Sequence, residues 1–218
     1  KGVFRSADNG ATWVLKSLGL TNLLTSGIIS VGPKLFVVGP TGVFKSLDNG
    51  DNWSAAGLST TDVRCITAIQ DTLFVGTNGA GIYKSIDFGV NWITVNNGLG
   101  TAVNFRAIQT KENSLFAGGP IGSGVFRSTD FGANWTLLAG GLSTGSYRGF
   151  ASNDKLIVAG AFGAGVFYSI DNGEKWTAIN NGLTDLTIFD LELNDAYLIA
   201  ATNTQGVFRY APVSYTHL

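Results

Sequence analysis

Three arginines stand at equivalent positions of a repeated sequence, and they are the residues of this chain best suited to bind an anion. Arg64, Arg106 and Arg148 each follow an apolar or aromatic residue at the start of a short run that is typical of a β-strand. A guanidinium group can bind a carboxylate through two parallel hydrogen bonds. If the three strands lie side by side, we expect the arginines to converge on one carboxylate-bearing ligand.

Carboxylates also occur close to these arginines. Asp62 lies in the loop before Arg64, Asp185 lies in a corresponding later loop, and Asp190 stands near the position equivalent to the arginines. Either Asp62 and Asp190 belong to the same ligand site, or each acid neutralises an arginine beside it. A pair of these carboxylates could also hydrolyse a glycosidic bond, and this alternative stays open.

The composition argues against several other functions. Of 218 residues only 13% are charged, 44% are apolar and the formal net charge is −1, so no basic surface for nucleic acid is expected. No apolar run approaches the roughly 18 residues of a spanning helix, so membrane insertion is not predicted. A single cysteine, Cys65, excludes an internal disulfide and a multi-thiolate metal site. We predict no metal and no cofactor.

A repeat organises the chain. One twelve-residue pattern occurs in full five times, starting at Gly2, Gly42, Gly81, Gly124 and Gly165, and a truncated copy starts at Gly206. The copies lie 39 to 43 residues apart, which is long enough for the four short strands of one propeller blade. No segment shows the 3.6-residue apolar period of a helix. We therefore predict an all-β fold, a β-propeller of four-stranded antiparallel blades, with about five blades in this chain.

Each full copy contains the pattern Ser-x-Asp-x-Gly-x-x-Trp. Its members are Ser6, Asp8, Gly10 and Trp13; Ser46, Asp48, Gly50 and Trp53; Ser85, Asp87, Gly89 and Trp92; Ser128, Asp130, Gly132 and Trp135; Ser169, Asp171, Gly173 and Trp176. We expect a hairpin between the third and fourth strands, in which the Asp accepts hydrogen bonds from its own turn and the Gly takes a positive φ. The Trp ring can pack back over such a hairpin.

This pattern resembles the Asp-box, or BNR repeat, of the sialidase-like β-propellers, and the resemblance covers essentially the whole chain. It implies that the hairpins are structural and lie at the rim opposite the ligand face. In sialidases a trio of arginines holds the substrate carboxylate. Those enzymes also need a Tyr nucleophile paired with a Glu, an acid/base Asp in a loop and an Arg motif near the N-terminus. The Arg motif is not found here, and no Tyr is placed to pair with Glu192. Similar propellers occur in secreted bacterial BNR and WD40-like repeat proteins and as a photosystem II assembly factor.

From these observations we predict a non-catalytic propeller that binds a glycan or protein partner on its loop face, outside the bacterial cytoplasm. The first alternative is a piece of a sialidase-like glycoside hydrolase. The second is a scaffold similar to the photosystem assembly factor. The sequence leaves the ligand, the organism and the oligomeric state open.

Incomplete blades stand at both ends of the repeat array. The start supplies a third and a fourth strand, and the end supplies a first, second and third strand, so strand 12–16 could complete a five-blade ring. Segments 2–6 and 206–210 would then compete for one place, which fits a piece of a larger propeller equally well. We assign residues 1–211 to the propeller. Residues 212–218 resemble a sequencing adaptor and are expected to be non-native, which would remove the only histidine, His217, and with it any Ser-His-Asp or zinc hydrolase.

Overall fold

The structure is a computed structural model that describes residues 1–143, 145–194 and 196–210. In these residues the regular secondary structure is β-strand alone, and the strands form six antiparallel sheets. The predicted all-β fold is therefore confirmed. The assignment of 1–211 to one domain stays a prediction, and the expected non-native tail at 212–218 lies outside the described residues.

The chain divides into two compact units, Lys1–Val95 and Asn96–Leu218. The first unit contains one two-stranded and two four-stranded sheets. Its strands are β1 (Phe4–Arg5), β2 (Val14–Leu15), β3 (Gly27–Val31), β4 (Lys34–Gly39), β5 (Gly42–Ser46), β6 (Ser54–Ala55), β7 (Val63–Ile69), β8 (Thr72–Thr77), β9 (Ile82–Ser85) and β10 (Ile93–Thr94). Strands β1 and β2 pair, β3 to β6 form the next sheet in chain order, and β7 to β10 form the third.

The second unit contains two four-stranded sheets and one three-stranded sheet. Its strands are β11 (Ala107–Lys111), β12 (Ser114–Gly118), β13 (Val125–Ser128), β14 (Thr136–Leu138), β15 (Ser146–Ser152), β16 (Ile157–Phe162), β17 (Gly165–Ser169), β18 (Thr177–Ala178), β19 (Ile188–Leu193), β20 (Leu198–Thr202) and β21 (Val207–Tyr210). Neighbours in sequence pair antiparallel within each sheet, so β21 is the last strand of its sheet.

The core lies between stacked sheets. In the first unit, Phe36 and Val38 of β4 pack in one cluster with Leu73 and Val75 of β8. Strands covered on both faces carry continuous apolar runs instead of alternating residues, which is what the sequence shows here. Cys65 of β7 is buried, and burial raises the pKa of its thiol to about 12. The thiol is therefore a protonated, unreactive core group at neutral pH.

The five Ser-x-Asp-x-Gly-x-x-Trp segments form hairpins with one hydrogen-bonding scheme, and we call each of them a Ser–Asp hairpin. The Ser Oγ donates to the Asp Oδ1 at 2.7 to 2.8 Å. The same Oγ accepts from the Gly N–H at 2.8 to 2.9 Å. The Asp Oδ1 also accepts from the N–H four residues later, at 2.9 Å in every copy.

These hydrogen bonds make the hairpins sensitive to acid. The pKa values of Asp8, Asp48 and Asp87 fall from 3.8 to about 2, chiefly because the residue four positions later donates hydrogen bonds to each carboxylate. The pKa values of Asp130 and Asp171 are lowered too, Asp130 mainly by Asn134 and Asp171 mainly by the Lys175 N–H. A carboxyl whose folded pKa is depressed stabilises the fold above its unfolded pKa, and this contribution is lost as pH falls through the folded value.

We therefore expect the urea concentration at the midpoint of unfolding, the urea midpoint, to be constant near neutral pH and to fall between about pH 4 and about pH 2. The measurement is urea unfolding followed by tryptophan fluorescence at a series of pH values. A midpoint that does not change across that window would show that the five carboxylates are not better hydrogen-bonded in the folded state.

A second contact joins each of three hairpins to the loop that follows the preceding fourth strand. The backbone N–H of the Trp donates to a backbone carbonyl oxygen of the loop at 2.7 to 2.9 Å. The pairs are Trp53 with Leu18, Trp135 with Asn97 and Trp176 with Gly140. The next loop residue is Gly19, Gly98 or Gly141, with φ between 89° and 94°. A Cβ on these glycines would lie 2.0 to 2.3 Å from the Trp carbonyl oxygen. We call this arrangement the Gly–Trp contact.

The Gly–Trp contact changes the expected role of the loops after the fourth strands. From its repeat, the sequence predicts that the loops between a fourth strand and the next first strand, segments 96–104, 140–147 and 180–188, belong to the ligand face. The structure shows a Gly–Trp contact in the first two of them. Their first residues instead pack against the backbone of Trp135 and Trp176. Only the later residues of these loops, next to the following first strand, remain for a ligand.

Candidate functional site

The arginine position of the repeat coincides with a β-bulge. In β7, Val63 pairs with Thr77 and Cys65 with Gly76, so Arg64 is an extra residue in the ladder. The same shift leaves Arg148 unpaired in β15 and Phe189 unpaired in β19. A bulge inserts one residue and turns its side chain away from the regular pleat. Arg106 stands immediately before β11.

In the second unit the bulge residue Arg148 stacks on two aromatic rings. Its Cζ lies 3.9 Å from the centroid of the Phe162 ring and 5.4 Å from that of Phe189. The two rings meet edge to face, with centroids 6.1 Å apart and an interplanar angle of 77°. Both rings remain 37 to 42% exposed. The guanidinium plane is thus held in place by cation–π contacts beside accessible aromatic surface.

The charge of Arg148 has no counter-ion among the described residues. No carboxylate there forms a salt bridge with Arg148 or with Arg106, and the buried Nε of Arg148 has no hydrogen-bond partner there. Desolvation lowers the pKa of Arg148, and the nearby charge of Arg106 lowers it further. Two guanidinium groups therefore repel each other at a site that would bind an anion favourably.

In the first unit Arg64 is already neutralised. Its Nη2 donates to Asp62 Oδ2 at 2.5 Å, and Asn78 Nδ2 donates to the same oxygen at 3.0 Å. A cavity of about 450 Å³ lies beside Arg64 and is lined also by Lys1, Leu23 and Pro40. The Nε of Arg64 and the Oδ1 of Asp62 are buried without a hydrogen-bond partner in the described part of the chain. Internal pairing, one of the two interpretations of the sequence, is therefore what the structure has at this arginine.

The repeat explains why the two units differ. By position in the repeat, Ser146 replaces Asp62 and Phe162 replaces Asn78. Arg148 therefore has neither the carboxylate that pairs with Arg64 nor the amide that donates to that carboxylate. Asn203 occupies the Phe162 position in the last sheet. Sequence reasoning missed Phe162, although a Phe at a position where the other copies have Asn (Asn78 and Asn203) or Pro (Pro40 and Pro120) is a detectable departure from the pattern.

Neither of the other acidic candidates, Asp185 and Asp190, forms a salt bridge with Arg106 or Arg148. Asp190 accepts a hydrogen bond at Oδ1 from the N–H of Leu191 at 2.9 Å. Asp185 accepts from the Thr187 N–H at 2.8 Å and from both the N–H and the hydroxyl of Thr204 at 2.7 Å. These bonds, first that from the Thr187 N–H, lower the pKa of Asp185. Asp185 thus links two loops, and a carboxyl with a lowered pKa is a poor general acid.

Within the described ranges no three or more His, Cys, Asp or Glu side chains are grouped so as to hold a metal ion. The described residues also contain no helix long and apolar enough to cross a membrane.

Comparisons with known proteins identify the fold. No protein-family model and no curated protein matches the chain. An ancestral GH74 enzyme aligns with a TM-score of 0.79 and 16% identity, over 95% of this chain and 33% of that one. YCF48 bound to D1 peptide aligns with a TM-score of 0.65 and 16% sequence identity, over 89% of this chain and 69% of that one. The extracellular domain of BT4673 from B. thetaiotaomicron aligns with a TM-score of 0.71 and 11% sequence identity, over 88% of this chain and 28% of that one.

At such identities these structures are informative about the fold alone. They confirm a β-propeller with about five blades. The chain spans about a third of the length of the GH74 enzyme.

Proposed function

We propose that this chain is a non-catalytic binding propeller and that Arg106 and Arg148 of its second unit bind a carboxylate of the ligand. The observation that supports this most directly is the state of Arg148. It is partly desolvated, stacked on Phe162, close to a second guanidinium, and without a carboxylate partner among the described residues. A ligand carboxylate would supply the missing counter-charge.

The aromatic rings add a second element of recognition. Because Phe162 and Phe189 are both partly exposed beside the guanidinium, the ligand can place an apolar group or a sugar face against them while its carboxylate meets the arginines. The rings also restrict the rotamers of Arg148, which lowers the entropy lost on binding. Arg64, Asp62 and Asp190 stay candidate ligand residues, and Arg64 would have to exchange its Asp62 partner for the ligand.

The carboxylate could come from a glycan or from a protein partner. A structure titled as YCF48 bound to D1 peptide supports a peptide ligand, and GH74 enzymes among the neighbours support a glycan. Hydrolysis is the alternative, in a longer protein of which this chain is a piece. An extracellular domain among the neighbours supports a location outside the cytoplasm.

The test is a binding screen with two arms, one of acidic oligosaccharides and one of acidic peptides, each with an uncharged counterpart. Products are analysed in the glycan arm, so that hydrolysis would be detected. We expect an acidic member of one arm to bind and its uncharged counterpart not to bind. Binding in neither arm, or equal binding of both counterparts, would contradict the proposal, and release of products would favour the hydrolase.

The matched variants are Arg148→Gln and Arg209→Gln, each of which removes one positive charge from the second unit. Arg209 lies over the Tyr197 ring, away from the arginine pair. We expect Arg148→Gln to weaken binding of the selected ligand roughly tenfold or more and Arg209→Gln to leave it nearly unchanged. Calorimetric titration gives both affinities, and equal losses would assign the effect to net charge alone.

A further inference from the structure

We propose that Gly149 and Gly160 are positioning residues of the arginine site, which is formed by Arg106 and Arg148. Their lack of side chains lets β19 approach β15 closely enough for Phe189 to reach Arg148. This inference rests on the proposed function, since it concerns the same site. It assigns to that site two residues that carry no functional group of their own.

The two glycines form one pair of the ladder between β15 and β16, next to the bulge. Gly149 directly follows the bulge residue Arg148. In the two other bulged first strands the residue at this position has a side chain, Cys65 in β7 and Asp190 in β19. Neither Gly149 nor Gly160 has a positive φ, so backbone conformation does not require a glycine at either position.

Strand β19 packs against the face of β15 and β16 that these glycines leave bare. A Cβ on Gly149 would lie 2.9 Å from Asp190 Cα and 3.0 Å from the backbone nitrogen of Leu191. A Cβ on Gly160 would lie 2.5 Å from Ile188 Cγ2. Contacts this short are repulsive, so a larger residue at either position would push β19 away. The short distance between the strands is therefore the reason for both glycines.

The segment of β19 that touches the glycines carries Phe189 at its centre. Phe189 is the bulge residue between Ile188 and Asp190, so its ring moves with these two neighbours. The ring centroid lies 5.4 Å from Arg148 Cζ and 6.1 Å from the centroid of Phe162. Cation–π attraction requires a separation within about 6 Å, so a small displacement of β19 removes this contact. Arg148 would then keep Phe162 but lose the second ring that orients its guanidinium group.

The first measurement needs no ligand. Gly149→Ala places a methyl group against the backbone of Asp190, and we expect Phe189 to withdraw from Arg148. Nuclear Overhauser effects between the Phe189 ring protons and the Arg148 side chain should therefore weaken. Unchanged Overhauser effects in the folded variant overturn the proposal.

Gly160→Ala tests the same displacement through a side chain. Its methyl group meets Ile188 Cγ2 instead of backbone, so this variant also serves where Gly149→Ala does not fold. We expect weaker Overhauser effects here too. Adding Ile188→Ala to Gly160→Ala removes the opposing methyl group and should restore them. If the double variant is no better than Gly160→Ala, the effect is a general loss of packing and the positioning role is refuted.

The control is Gly140→Ala in the same unit. Gly140, like Gly149, has no positive φ, and its added Cβ would stand 2.2 Å from the backbone carbonyl oxygen of Glu174. This variant therefore overpacks a hairpin and not the surface of β19. We expect a lower urea midpoint but unchanged Overhauser effects between Phe189 and Arg148. A loss equal to that in Gly149→Ala would show that the contact reports general loosening, contrary to the proposal.

The second measurement is binding of fluorobenzoate, whose carboxylate and ring fit the arginines and the phenylalanines. Fluorine NMR follows the titration, with fluorobenzamide as the uncharged counterpart. We expect the wild-type chain to bind the acid and not the amide. Gly149→Ala should bind the acid roughly threefold more weakly or worse, and Gly140→Ala should bind it as the wild type does.

The two measurements separate the positioning role from the proposed function. Weaker Overhauser effects with unchanged affinity in Gly149→Ala would overturn the positioning role alone. A wild-type chain that does not bind fluorobenzoate would contradict the proposed function, while the Overhauser effects would still decide whether the glycines place Phe189 against Arg148.

Discussion

Replacing Gly98 by alanine is expected to lower the free energy of unfolding by about 3 kcal/mol, combining overpacking with an unfavourable φ. The new Cβ would stand 2.0 Å from the carbonyl oxygen of Trp135, and φ at this position is +89°. The position of the Cβ is fixed by the backbone at residue 98 and the oxygen belongs to the backbone of Trp135, so neither atom can move without separating the loop from the hairpin. That separation would break the hydrogen bond from the Trp135 N–H to Asn97 O.

Gly100→Ala is the matched control for this prediction. Gly100 lies in the same loop with a φ of +59°, and an added Cβ would meet nothing within 4 Å among the described residues. Gly100→Ala should lower the free energy of unfolding by about 1 kcal/mol, the usual penalty for a side chain at positive φ. Urea unfolding followed by tryptophan fluorescence gives both values. Equal losses in the two variants would mean that the Gly–Trp contact contributes nothing beyond local backbone strain.

The substitution Ser46→Ala is expected to lower the free energy of unfolding by about 2 kcal/mol, because it leaves the buried Gly50 N–H without an acceptor. The Gly50 N–H donates to Ser46 Oγ at 2.8 Å, and that Oγ donates to Asp48 Oδ1 at 2.8 Å. Ser46 is only 1% exposed, so in Ser46→Ala no water replaces the hydroxyl at Gly50. The loss should appear as a lower urea midpoint.

Ser6→Ala removes the same two hydrogen bonds from an exposed hairpin. The Gly10 N–H donates to Ser6 Oγ at 2.8 Å, but Gly10 lies at the surface, where water can take over as acceptor. We expect Ser6→Ala to lower the free energy of unfolding by well below about 1 kcal/mol. If the two serine variants were equally destabilised, burial would not be the reason that the hydroxyl matters.

Strands and hairpins could be predicted because their determinants are local. The apolar, β-branched run at 63–69 predicts a first strand, and β7 has those bounds. The pattern that marks each hairpin forms its hydrogen bonds within four residues. Segment 91–95 predicts a fourth strand, but the strand found there is shorter, at Ile93–Thr94. Fourth strands lie at the edge of their sheets and pair on one side only, so their ends are not fixed by the apolar pattern.

The candidate site was harder to predict because it depends on contacts between strands. The sequence places Arg64, Arg106 and Arg148 at equivalent positions. It does not show that Arg64 is paired with a carboxylate and that Arg148 has no carboxylate partner among the described residues. That difference follows from the residue two positions before the arginine, Asp62 or Ser146, and from the residue opposite it, Asn78 or Phe162. The bulges were also hidden, since one additional residue in a strand leaves no mark on its composition.

The bulge at the start of the first strands has an evolutionary consequence. The inserted residue has no partner in the ladder, so its side chain can change without disturbing the pairs on either side. The chain already contains two outcomes at this one position, arginine in β7 and β15 and phenylalanine in β19. Selection can therefore alter the side chain that one blade presents at this position at little cost to folding, and mutational tolerance should be greater at the bulge residue than at its two neighbours in the strand.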